Sequence, residues 1–233
     1  MTEAVKDGIT VNLVYDGRAA KVMLNQDKVR QIEEYYAQCE LEGANEHQVE
    51  ESQKAVAKME VIIGDPDRLR AVAEDFIKHY ETRVAEGATV AGKAMFVCSN
   101  RNIAYDFYKI VKELRPEWTE KKICDDGVVL SEKDKKELKP MEKIKLVMTR
   151  NKDDEKDLFD MLGTKEDRKE FDRQFKNPKS NFKIAIVVDM WLTGFDVPEL
   201  DTIYIDKPIQ QHTLIQTISR VNRVCEGKDK GLI

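Results

Sequence analysis

Gln216, Arg220 and Arg223, in the stretch Gln216-Thr217-Ile218-Ser219-Arg220-Val221-Asn222-Arg223, stand at offsets 0, 4 and 7. Offsets of this kind share one face of a helix. Two guanidiniums held behind a glutamine amide on such a face could clamp the charge that develops on a transferring phosphoryl group. Roughly 20 residues upstream, the apolar run Ile184-Ala185-Ile186-Val187-Val188 passes into the polar, glycine-containing turn Asp189-Met190-Trp191-Leu192-Thr193-Gly194-Phe195-Asp196-Val197-Pro198. An apolar run ending this way suits a buried strand that delivers a functional loop. Gly194 has no side chain to keep a phosphate from the backbone, and Thr193 beside it offers a hydroxyl.

Periodicity along the chain predicts the strands and helices that carry these residues. Apolar runs suited to strands occur at residues 10–15, 59–63, 94–98, 144–148, 183–188 and 202–205, and they alternate with segments of helical period. That alternation predicts an α/β fold, a parallel sheet with helices on both faces. Asp65-Pro66 reads as a helix start, with a capping carboxylate and a proline in the first turn. Leu69, Val72, Ala73, Phe76, Ile77, Tyr80 and Val84 then form one core-facing stripe. Ile103, Phe107, Ile110, Val111 and Leu114 predict a second helix, and Thr164 caps a third over residues 165–176, with Phe171 and Phe175 turned inward.

In an open α/β sheet the ligand crevice lies at the carboxyl ends of the strands. Ser99, Asn100 and Arg101 follow the strand at 94–98, and Thr149 and Arg150 follow the one at 144–148, so both clusters belong to that edge. They are candidate phosphate contacts. Ser99 or Asn100 also suits a helix cap, a compatible role because the free N–H groups of a helix start are phosphate donors. Thr149 and Arg150 could equally sit in a plain surface loop. Trp191 is either a base-stacking platform or packing beside Met190 and Leu192, and Asp189 could cap its own turn.

In order and spacing these two stretches resemble motifs V and VI of superfamily 2 helicases and translocases. The finer wording, Val188-Asp189-Met190-Trp191-Leu192-Thr193-Gly194-Phe195-Asp196-Val197-Pro198 and Ile218-Ser219-Arg220-Val221-Asn222-Arg223-Val224, resembles the motor (R) subunit of type I restriction enzymes. Near the other end, Glu3-Ala4-Val5-Lys6-Asp7-Gly8-Ile9-Thr10-Val11 and Val14-Tyr15-Asp16-Gly17-Arg18 resemble the entry into that subunit's second motor domain. The resemblance implies a RecA-like three-layer α/β lobe over residues 1–233, with Arg220 and Arg223 as catalytic arginines and Gln216, Asp196 and Gly194 facing the nucleotide. Ser99, Asn100, Arg101, Thr149, Arg150 and Thr193 would touch DNA, the first three standing where motif IV falls. Two positions depart from the pattern. Ser219 replaces a common glycine, and Val188 replaces a phosphate-contacting threonine, so that contact is not carried over.

The resemblance further implies ATP and Mg2+, held mainly by a first RecA-like lobe, and double-stranded DNA as the track. A nuclease domain, methyltransferase and specificity subunits would complete a cytoplasmic type I restriction-modification endonuclease. The sequence contains no Gly-x-x-x-x-Gly-Lys-Ser/Thr phosphate loop and no Asp-Glu-x-His box, and Gly92-Lys93 leads straight into an apolar strand instead of a hydroxyl. The chain is therefore expected to be an excised second lobe, inactive as an isolated ATPase. The alternatives are the second lobe of another superfamily 2 helicase or remodeller, and a non-catalytic nucleotide or nucleic-acid binding module.

Composition sets bounds. At 233 residues the chain suits one large domain, and 36% charged residues with a net charge of −5 argue against a general nucleic-acid glue. No apolar run is long enough for a membrane helix. Cys39, Cys98, Cys124 and Cys225 lack Cys-x-x-Cys spacing, so neither zinc nor a disulfide framework is expected. Residues 26–58 read as a helical insertion, either covering the sheet or docking against a neighbouring domain, and residues 117–143 as an irregular excursion.

Overall fold

The computed structural model describes residues 8, 10–18, 60, 62–207 and 211–233, with the backbone path alone for 211–214. The segment 26–58, expected to be a helical insertion, lies outside the described residues. Six strands, β1 (Asn12–Val14), β2 (Lys93–Cys98), β3 (Ile144–Leu146), β4 (Ile184–Val187), β5 (Leu200–Asp206) and β6 (Lys230–Leu232), form one sheet. Their order is β1-β6-β5-β2-β4-β3, and every pair is parallel. The helices whose full span is described are α1 (Pro66–Ala85), α2 (Arg101–Leu114), α3 (Glu132–Glu137), α4 (Lys156–Leu162), α5 (Lys165–Lys176) and α6 (Gln211–Ile218).

Every residue of β2 and β4 is buried, as a parallel sheet covered on both faces requires. Side chains alternate across the pleat. Ala94, Phe96, Cys98, Ile184 and Ile186 enter one core with α1 and α2. Met95, Val97, Ala185 and Val187 enter a second core with Phe171 and Phe175 of α5. The sheet is thus the middle of three layers, as expected.

The helix starts follow local chemistry. Asp65 Oδ1 accepts from the Arg68 amide at 3.2 Å, with Pro66 in the first turn. Thr164 and Asp167 form a reciprocal capping box at α5, which satisfies two otherwise orphaned N–H groups. Of the α1 stripe, Leu69, Ala73, Phe76, Ile77 and Tyr80 are buried and Val72 is partly buried. Val84, expected at its end, is exposed; Arg83 is buried instead, its Nη2 donating to the Ala88 carbonyl at 2.7 Å.

Two expectations are corrected, and one strand was not foreseen. The described residues of the run 59–63 form no strand: Glu60, Ile62 and Ile63 are helical, and the Gly64 amide closes the turn on the Glu60 carbonyl at 2.8 Å. A short apolar run without a period does not distinguish the two states. Residues 117–143 carry more order than an irregular excursion. Pro116–Thr119 forms a 3-10 turn that buries Trp118 in the first core, Lys122 and Met141 form a bridge, and Ser131 caps α3 through a capping box. Strand β6 was not foreseen, because Lys230-Gly231-Leu232 stands in no apolar run.

In β6, a Cβ on Gly231 would lie 2.4 Å from the Val221 carbonyl oxygen and 2.9 Å from its carbon. Backbone approaches backbone here, which only glycine permits. Gly231→Ala is expected to destabilise the chain by about 1–3 kcal/mol through overpacking, read from the urea midpoint. Gly17→Ala, which meets nothing within 4 Å, should leave the midpoint almost unchanged.

Candidate functional site

The loop after β4 separates its residues by environment. Leu192, Phe195 and Val197 are buried in the second core, while Thr193, Gly194 and Asp196 between them are exposed. Gly194 takes φ +69° with open space around the missing side chain, so backbone conformation alone demands a glycine here. The loop is pinned at its start by Lys207, whose Nζ donates to the Val188 carbonyl at 3.0 Å and to Asp189 Oδ1 at 2.9 Å. Asp189 therefore forms an ion pair, in place of the turn cap considered for it. Trp191 sits at φ +67°, a conformation uncommon for a bulky residue. Its ring stacks on Phe195 with centroids 4.1 Å apart and planes 2° apart, and it also meets Phe175 at 5.2 Å. Phe195 covers one face of the ring, and Trp191 packs partly buried against the second core.

The expectation of one helical face for Gln216, Arg220 and Arg223 is corrected. Helix α6 ends at Ile218. The Arg220 and Val221 amides then bond to the Thr217 and Ile218 carbonyls, each at 3.1 Å, a tightened i to i−3 turn. Beyond it Val221 is buried in the second core, the Asn222 carbonyl accepts from the Val11 amide at 2.8 Å, and Arg223 forms an antiparallel bridge with Thr10. Pairing with the start of β1 extends the chain where the helix would have continued.

The groups nevertheless converge. Arg220 Nη1 donates to the Phe195 carbonyl at 2.6 Å, and its Nε to the Gln216 carbonyl at 3.2 Å. Arg223 Nε lies 3.5 Å from Asp196 Oδ1, with both side chains about half exposed. Burial lowers the Arg220 pKa, and the neighbouring positive charge of Arg223 lowers it further. Two cations served by one carboxylate leave a surplus of positive charge, which favours an additional anion. Gln216 is half-buried and contributes its backbone carbonyl.

A second cluster lies at the carboxyl ends of β2 and β3. Ser99 Oγ donates to the Asp206 carbonyl at 2.9 Å, and Asn100 Oδ1 accepts from the Ile103 amide at 3.0 Å, capping α2. Arg101 donates to the Thr149 carbonyl at 2.7 Å and to both oxygens of Asp154 at 2.6 Å. The guanidinium of Arg150 lies 4.3 Å over the Phe159 ring. The structure thus joins Ser99, Asn100, Arg101, Thr149 and Arg150 on one edge, but the first three have intramolecular partners and Arg101 is charge-balanced. Thr149 and Thr193 are exposed. Sequence reasoning missed Asp154 and Lys207. Asp154 lies in an acidic run with no spacing signal, whereas Lys207, directly after β5, was findable from its place on the carboxyl edge.

Gly92-Lys93 has no phosphate-loop geometry. The Lys93 side chain is buried against Phe175, its Nζ donates to the Phe182 carbonyl at 2.5 Å, and burial pushes its pKa well below the ordinary value. A cavity of about 390 Å3 between α1 and β5 contains Arg18, Arg68 and His79. Arg18 is paired with Asp75 at 2.7 Å and Arg68 with Asp206, so this is no free anion pocket. Among the described residues no group of three or more His, Cys, Asp or Glu could hold a metal ion, and no helix is long and apolar enough to cross a membrane.

A six-stranded parallel sheet between two helical layers, with polar loops gathered at its carboxyl edge, defines an α/β domain of the RecA-like class. A family model described as type I restriction enzyme subunit R domain 3 matches residues 90–233. Over 230 residues, 99% of the chain, it is 35% identical to the type I restriction enzyme HindI endonuclease subunit of Haemophilus influenzae, of which it covers 19%. It is also 35% identical over 233 residues to the putative type I restriction enzyme MjaIXP endonuclease subunit of Methanocaldococcus jannaschii, covering 20% of that protein. A 59-residue stretch is 49% identical to the SauCOLORF180P endonuclease subunit of Staphylococcus aureus, covering 23% of this chain and 6% of that one. The chain belongs to the type I restriction enzyme R-subunit family, and it spans about a fifth of the length of the first two relatives.

Proposed function

We propose that this chain is the second motor lobe of an ATP-driven double-stranded DNA translocase within a type I restriction-modification endonuclease. The observation that carries this reading is the convergence of Asp196, Arg220 and Arg223 beside the exposed Thr193–Gly194 backbone, at the carboxyl edge of β4. The fit to a nucleoside triphosphate rests on charge and access. Arg223 is half exposed and only loosely met by Asp196, and a planar guanidinium presents paired donors to phosphate oxygens. Gln216 and Asp196 would face the nucleotide from this side. ATP and Mg2+ would be held mainly by a first RecA-like lobe, and ATP supplies the phosphoryl group transferred to water. Electrostatic stabilisation of that transfer is what this lobe's arginines would contribute.

The nuclease domain of the same subunit, together with methyltransferase and specificity subunits, would complete a cytoplasmic assembly. Contact with the duplex would run through the backbone along Ser99, Asn100, Arg101, Thr149, Arg150 and Thr193. A motor that read base edges would stall on unfavourable sequence, so positioning contacts to phosphate suit it. An acidic lobe neutralises few phosphates, so the isolated chain should bind DNA weakly and with strong salt dependence.

The test is translocation by the assembled enzyme carrying Arg150→Ala and Thr193→Val in this lobe. Translocation and DNA-stimulated ATPase are expected to fall together, by similar factors on unrelated duplexes. Undiminished translocation, or a changed recognition sequence, would overturn the assignment of this edge as the track.

A further inference from the structure

The two arginines occupy different environments, and the difference assigns them different work. Arg220 is half-buried and satisfied from inside, with its guanidinium spanning from the Gln216 carbonyl to the Phe195 carbonyl. The bond to Phe195 is short and charge-assisted. Phe195 is also the anchor of the preceding loop. Its ring is stacked on Trp191, tilted against Phe175 at 5.9 Å and covered by the Lys176 ammonium at 5.1 Å. Its neighbours in sequence are Gly194 and Asp196, the residues the proposed function turns toward the nucleotide. A donor fixed on the Phe195 carbonyl therefore fixes the backbone on both sides of it. Arg223 differs: among the described residues its side chain meets Asp196 alone, at 3.5 Å, and about half of it is open to solvent.

We propose that Arg220 is a positioning residue that clasps the 193–196 loop through the Phe195 carbonyl, leaving Arg223 as the arginine available to the transition-state charge. The proposal rests on the motor reading for the role of Arg223, but the clasp itself is a property of this chain. The turn after α6 explains the division. Had the helix continued through Arg223, both guanidiniums would share one face; the chain instead tightens at Arg220 and extends at Arg223, and the two point to different acceptors.

Trp191 reports on the clasp. The sequence has two tryptophans, and in a Trp118→Phe background Trp191 is the only one left. In the chain alone, without nucleotide, Arg220→Ala is expected to shift Trp191 emission to the red and to raise its quenching by acrylamide several-fold. Arg223→Ala should leave both at the values of the parent protein. Arg220→Lys keeps a charged donor and should recover most of the shielding with unaltered thermal unfolding, which separates a local clasp from general destabilisation. In the intact subunit, Arg220→Lys should lower turnover by a smaller factor than Arg223→Lys does. Unchanged Trp191 quenching in Arg220→Ala, or equal exposure in Arg220→Lys and Arg220→Ala, overturns the clasp. Normal turnover in Arg223→Ala with Trp191 behaving as expected would overturn the motor reading and leave the clasp standing.

Discussion

Arg223→Ala in the intact subunit is expected to cut steady-state ATP turnover by roughly 10³-fold, the loss typical of a missing arginine finger, while ATP affinity changes little. The split follows from differential binding. A group aimed at charge that appears only in the transition state lowers the barrier without holding the ground state more tightly. The structure gives Arg223 the access this needs, since its one carboxylate contact is at 3.5 Å and both groups are about half exposed. The cost of leaving Asp196 is correspondingly small, as exposed ion pairs are worth about 0–1 kcal/mol. Turnover is followed by phosphate release with saturating duplex DNA, and affinity by equilibrium binding of a non-hydrolysable analogue. Equal losses in both would assign Arg223 to ground-state binding or to folding.

Phe76→Ala should be the most damaging of the simple core truncations, at about 3–5 kcal/mol, out of a total stability of roughly 5–15 kcal/mol. Phe76 is 2% exposed and stands where the first core's elements meet. Its ring lies 5.2 Å from Phe96 of β2, 5.7 Å from Phe107 of α2, 6.3 Å from Trp118 of the 3-10 turn and 4.8 Å from Tyr204 of β5. Three of these contacts are edge-to-face, the geometry that adds to area burial. Those neighbours belong to rigid elements around a buried sheet and cannot collapse into the space. Urea unfolding followed by near-ultraviolet dichroism measures the loss. Val129→Ala, at a side chain 88% exposed, should barely move the midpoint, and a Phe76→Ala midpoint equally close to the parent's would contradict the packing described.

The local chemistry of the chain was legible wherever a residue acts on its immediate neighbours. Asp65, Asn100 and Thr164 cap helices as their types predict, because the acceptor and the amide it serves are three residues apart. The buried strands were legible because β2 and β4 are apolar throughout, and the stripe on α1 because one face of a helix repeats. The type and order of the residues at 188–198 and 218–224 likewise pointed to the family.

Long-range contacts decided the rest. Nothing between Gln216 and Arg223 announces that the helix ends at Ile218, because the reason lies some 200 residues away in sequence, where Thr10 and Val11 pair with Arg223 and Asn222. Nor does the loop's sequence show that Phe195 covers one face of Trp191, that Asp154 balances Arg101, or that Lys207 holds Asp189. The family was legible in the order of residues at 188–198 and 218–224, and the parallel sheet with two covered faces followed from apolar runs and helical period along the chain. Which of the residues at the carboxyl edge are already satisfied by partners, and which remain open, depends on the folded chain. Hydrogen bonds and ion pairs form between groups brought together by the sheet order, and that order is fixed by packing, not by proximity in sequence.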